Sequence, residues 1–104
     1  MIRHCVFIQF QTAVTRAERD ELLGEITGLQ GRLPGIVSVH SGTNVSPEVG
    51  MDQGFTEGFI IDFTGSTDRD DYLADAEHQQ IGTRIVAAAQ GGSDGVLVFD
   101  LEID

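Results

Sequence analysis

One cysteine, two prolines, one tyrosine and no tryptophan are all that this chain of 104 residues holds of those types. The lone thiol, Cys5, has nothing to pair with inside the chain, so an internal disulfide framework is excluded. No apolar run approaches the roughly 20 residues of a membrane-spanning helix. Basic residues are also scarce, six against 17 acidic ones, and the formal charge of -11 repels phosphate backbones and anionic headgroups. Nucleic acid and membrane surfaces are therefore excluded as natural partners. The glycines, Gly91, Gly92 and Gly95 included, match no phosphate loop or dinucleotide fingerprint, and nothing in the pattern calls for a cofactor or a metal. Met1 to His4 run straight into a strand pattern without the layout of a signal peptide, so the expected location is the cytoplasm.

What is present is a clear alternation of periods. Ile2, His4, Val6, Ile8 and Phe10 alternate with Arg3, Cys5, Phe7 and Gln9, which predicts a strand with one apolar face broken only by His4. Thr15 and Glu18 have capping-box spacing, and Leu22, Ile26, Leu29 and Leu33 form a helical stripe, predicting a helix from about Thr15 to Leu33 that Pro34-Gly35 stops. A second strand is expected over Val37 to Asn44, with Val37, Val39, Ser41 and Thr43 on one side, then a loop over Ser46 to Gly54. Phe55 to Phe63 reads as the third strand, with Glu57 set among Phe55, Phe59, Ile61 and Phe63. Gly65-Ser66-Thr67 opens a short helix through Tyr72 and Leu73, and a second helix carries His78, Ile81, Ile85 and Ala88. Val96 to Ile103 is the last strand.

The order strand, helix, strand, strand, helix, strand predicts a single domain over residues 1–104, an α+β ferredoxin-like β-α-β-β-α-β protomer with a four-stranded antiparallel sheet. Helices cover one face of such a sheet. The other would leave Cys5, Phe7, Ile60 and one apolar set of the last strand wet, so a homodimer through the open sheet face, a barrel-like double sheet, is expected.

His4 and Glu57 share the parity assigned to the helix-covered face, and His78 lies on the helix stripe that looks back at it, with the Tyr72 hydroxyl close by. In this topology the first and third strands are antiparallel, which sets His4 and Glu57 toward opposite ends of the layer. His78 reads as a general base or acid assisted by Tyr72. The competing structural readings are a histidine satisfied at a helix N-terminus and a tyrosine with its hydroxyl at the rim. His4 is a buried, hydrogen-bonded polar group or a pocket residue; Glu57 marks a ligand pocket or a buried pair. Cys5 reads as a small hydrophobe, His40 as solvated or interfacial, and Asp94, Asp100, Glu102 and Asp104 as an acidic tail strand, with a weak divalent-cation site as the alternative.

Ile2-Arg3-His4-Cys5-Val6-Phe7-Ile8-Gln9-Phe10, Gly54-Phe55-Thr56-Glu57-Gly58-Phe59, Tyr72 followed by His78, and Val98-Phe99-Asp100 together resemble the stress-responsive A/B barrel (Dabb) family over nearly the whole chain. The resemblance implies a dimeric α+β barrel. In the family's plant polyketide cyclases a histidine aligned with His78 is the catalytic base, a tyrosine aligned with Tyr72 assists it, and histidines aligned with His4 and Glu57 line the pocket. This chain differs in having Glu57, and Asp75-Ala76-Glu77-His78 where the family usually has His-Pro-x-His. The loss of the proline implies a looser turn.

The expected function is thus cofactor-free acid–base chemistry on a small carbonyl or aromatic compound, a cyclase-like lyase or isomerase, with His78 and Tyr72 catalytic and His4 and Glu57 holding substrate. One alternative is a non-catalytic ligand-binding or stress-related dimer. Another is a cofactor-free monooxygenase of the antibiotic-biosynthesis type.

Overall fold

The computed structural model describes all residues, 1–104, as β1 (Ile2–Ile8), α1 (Arg16–Thr27), β2 (Ile36–Thr43), β3 (Glu57–Phe63), α2 (Ser66–Ala74), α3 (Ala76–Ala88) and β4 (Val96–Glu102). The four strands form one antiparallel sheet in the order β2-β3-β1-β4. This is the ferredoxin-like α+β arrangement that the element order predicts. No helix is long and apolar enough to cross a membrane.

Local chemistry sets the helix ends. The Thr15 hydroxyl accepts the Glu18 amide at 3.2 Å and so starts α1. The helix stops at Thr27 rather than running to Leu33, because a tight 3-10 turn over Gly28–Gly31 intervenes, and this turn carries Leu29 into the core. On β2 the register shifts between Ile36 and Ser38. A bulge there puts Ile36 with Val39, Ser41 and Thr43 on the helix side and leaves Val37 exposed, a correction to the expected Val37 set. β3 begins at Glu57, two residues later than its alternation suggests, and β4 ends at Glu102.

All three helices lie on one face. There Ile8, Ile26, Ile61, Phe63 and Tyr72 are wholly buried, together with Leu22, Leu23, Leu29, Ile81 and Ile85. The opposite face is open. Leu97, Phe99 and Leu101 stand 43–56% exposed along its β4 edge, beside Cys5 and Phe7 of β1. All six basic residues are arginines, and each one is ion-paired.

Candidate functional site

β1 brings His4 to the helix side, 3% exposed, directly across from Asp100 of β4. The two side chains meet, His4 Nδ1 lying 2.6 Å from Asp100 Oδ1. A carboxylate only accepts, so this contact fixes the imidazole proton on Nδ1. The second Asp100 oxygen accepts from Arg69 Nη1 at 2.7 Å. Burial acts to raise the Asp100 pKa, yet the bonds from His4 and Arg69 outweigh it and hold the carboxyl below its ordinary value.

Arg69 lies one helical turn before Tyr72 on α2, so the same helix that anchors Asp100 inserts the tyrosine beneath itself. Tyr72 is fully buried, its ring centre 5.7 Å from that of His4 and 5.2 Å from that of Phe63. His78 comes from the first turn of α3 and lies against Tyr72, with ring centres 3.8 Å apart and planes inclined by 33°. A single residue, Asp75, separates the two helices. Its amide donates to the Tyr72 carbonyl at 3.1 Å, and its carboxylate accepts the His78 amide at 2.9 Å. The corner that lacks the expected proline is therefore tied by an aspartate cap.

The Tyr72 hydroxyl is buried with no hydrogen-bond partner, and His78 Nδ1 makes no well-formed hydrogen bond, the Tyr72 backbone carbonyl being the one acceptor near enough to act on the ring. Burial pushes the Tyr72 pKa well above its ordinary value of 10.0, so the phenol keeps its proton. Burial, and then the proximity of His4, depress the His78 pKa below 6.5, so the imidazole is neutral at pH 7. A neutral base and a protonated donor thus stand side by side. His78 is only half-buried, which gives solvent a way in from its side.

Glu57 is not part of this group. It pairs with Ile8 whereas His4 pairs with Ile61, four residues along the strand, or roughly 13 Å. Its carboxylate is taken up by Arg16, by Arg19 at 3.3 Å and by the Thr56 hydroxyl at 2.9 Å. Of the four residues singled out in the sequence, the structure brings His4, Tyr72 and His78 together and leaves Glu57 in a separate buried ion cluster. Asp100 and Arg69 join the group instead. The signal for Asp100 was its parity: carried across the β1–β4 pair, it places the carboxylate on His4's side.

A cavity of about 510 Å³ lies elsewhere, on the open face between the β2–β3 loop and the sheet, where Phe7, His40, Met51, Phe55, Ile60 and Leu97 line it. Cys5 is 7% exposed and its thiol pKa is raised by burial, as suits a small hydrophobe.

A family model described as the stress responsive A/B barrel domain matches residues 2–103. The chain belongs to that family. No curated protein matches it. Among solved structures, a dimeric ferredoxin-like protein of unknown function from Jannaschia sp. CCS1 is 29% identical, with 98% of each chain covered and a TM-score of 0.90. A protein of Arabidopsis thaliana is 24% identical, with 100% of this chain and 96% of that one covered and a TM-score of 0.87. A hydroxynitrile lyase from Passiflora edulis is 19% identical over 99% and 93%, with a TM-score of 0.85. Proteins that share this fold therefore include one of unknown function and a hydroxynitrile lyase, and no reaction follows from the fold alone.

Proposed function

We propose that this A/B barrel protein is a homodimer closed through its open sheet face, and that the Tyr72–His78 corner performs cofactor-free acid–base chemistry on a small carbonyl compound. The reading rests on one observation: a buried phenol without a hydrogen-bond partner, stacked against an imidazole whose buried nitrogen makes no well-formed bond. An unpartnered buried polar atom costs about 1–3 kcal/mol, a cost that a bound polar ligand removes. His78 accepts the proton from the carbon next to the carbonyl, Tyr72 donates a hydrogen bond to the oxygen on which charge develops, and the proton then returns to product. The Asp100–His4 pair keeps the layer behind Tyr72 in place. Glu57 has a structural role.

Proton abstraction is measured directly as exchange of the α-protons of β-keto thioesters and simple ketones into D2O. Exchange catalysed by the unsubstituted protein and lost in His78→Asn and Tyr72→Phe supports the reading. If no carbonyl compound exchanges faster than in buffer, it is abandoned.

A second reading, a ligand-binding dimer without catalysis, draws on the complete burial of Tyr72 and the 3% exposure of His4. Binding of a phenol or ketone at His78 with no α-proton exchange identifies that case.

A further inference from the structure

Arg32 follows the 3-10 turn at the end of α1 and reaches across to the joint between α2 and α3. There it contacts two carboxylates at once: its terminal nitrogen bonds Asp75, and its Nε lies 2.6 Å from Glu77. The Asp75 oxygen that it holds is the one accepting the His78 amide. Asp75 is extended, with φ -69° and ψ 128°, and is the only residue outside helical geometry between Ser66 and Ala88. One cation therefore fixes the residue that sets the angle between the helix of Tyr72 and the helix of His78.

Arg32 is itself anchored. The Leu33 amide donates to the Leu29 carbonyl at 3.2 Å, and the Ile36 amide to the Leu33 carbonyl at 3.1 Å. Three residues on, Gly35 packs against Asp68 so closely that a Cβ there would lie 2.2 Å from the Asp68 carboxyl carbon. The Thr64 amide and hydroxyl both donate to the Gly35 carbonyl, each at 3.2 Å. The segment from Arg32 to Gly35 thus grips α2 at both ends, through Gly35 where the helix begins and through Arg32 where it stops.

We propose that Arg32 is a positioning residue for His78, clamping Asp75 and Glu77 so that the imidazole stays stacked on Tyr72 with Nδ1 turned inward. The inference rests on the function proposed for this corner. Arginine suits the task because its planar fork addresses two acceptors in fixed directions, whereas a lysine offers one compact charge.

Amide hydrogen exchange and histidine ring NMR on the full chain test the clamp without needing a substrate. In Arg32→Gln, exchange of the His78 amide is expected to rise by about tenfold relative to sheet amides such as Ile61, and the His78 ring signals to shift. Arg32→Lys is expected to recover part of both. Asp75→Asn, which loses the ion pair and the charge of the cap together, is expected to loosen His78 at least as much as Arg32→Gln does. Where Arg32→Gln does not fold, the unsubstituted protein in about 1 M salt carries the test, since screening weakens a half-exposed pair and is expected to loosen the His78 amide selectively. A His78 amide and ring unchanged in Arg32→Gln, or an equal rise in exchange at Ile61, overturns the clamp. Failure of every ligand to perturb His78 while the clamp behaves as described sinks the function proposed for the corner and leaves the clamp standing.

Discussion

His4 on β1 and Asp100 on β4 face each other across the strand pair, and their side chains meet at 2.6 Å. With Arg69 on the far side of the carboxylate, the contact binds the last strand, the first strand and α2 into one layer behind Tyr72. Asp100→Asn removes the charge that both partners address. The expected loss is about 1–2 kcal/mol, toward the lower end for a charged hydrogen bond because the Asp100 side chain is 26% exposed. Urea unfolding measures it, and the His4 ring signals should move in the same variant.

Tyr72→Phe should have the opposite effect on stability. The hydroxyl is buried without a partner, so its removal deletes a desolvated dipole and keeps the ring that packs against Phe63. A gain of about 0.5–2 kcal/mol is expected, together with loss of α-proton exchange, the trade expected where function holds an unsatisfied group in place. A loss of stability by a similar amount means the hydroxyl is bonded in solution.

Glu57→Gln separates structure from site. The carboxylate is 3% exposed and serves two arginines, so breaking the cluster costs stability. About 1–3 kcal/mol is expected, less than the 3–5 kcal/mol typical of fully buried pairs, because Arg16 is 49% exposed and its charge can turn to water. The response of His78 to ligands should remain unchanged in this variant.

Acid should act on the protein well above the carboxylate range. The folded pKa of His78 is depressed below its ordinary 6.5, so near and below that pH the unfolded chain binds a proton the folded one refuses. Stability is full above pH 6.5 and drains as the pH falls through the folded value. Asp62, Asp75 and Asp100, whose pKa values are lowered from 3.8, add their own loss only below about pH 4. Urea midpoints at pH 7.5, 6.5 and 5.5 lie clear of the carboxylates, and the share of the trend that belongs to His78 is the part that His78→Asn flattens.

The open sheet face gives a test of assembly. Leu97, Phe99 and Leu101 form an apolar ridge, and Phe99 is 56% exposed. Phe99→Glu should yield a monomer by light scattering at micromolar concentration, whereas the unsubstituted chain should scatter as a dimer.

Much of this architecture is legible in the residues because it rests on local rules. Alternation along β1 and β3 fixes which face each side chain takes, and Thr15 marks the start of α1. What is not legible depends on register and on long-range charge. Parity places His4 and Glu57 on one face and the antiparallel run of β1 and β3 sets them toward opposite ends of it, but no pattern marks that Arg16 and Arg19 take up the Glu57 carboxylate. The bulge after Ile36 moved Val37 off the helix side, a shift no period announces. Arg32 finds its carboxylates 43 and 45 residues away, and no local pattern marks such a pair.

The most direct measurement is histidine ring NMR of the labelled protein titrated with β-polyketo thioesters and phenols, with Leu97 and Phe55 followed as reporters of the open-face cavity. The expected result is a shift of the His78 ring that saturates with ligand, is lost in Tyr72→Phe and leaves the cavity reporters still. Ligand-dependent shifts confined to Leu97 and Phe55, with His78 unmoved, contradict a site at the Tyr72–His78 corner.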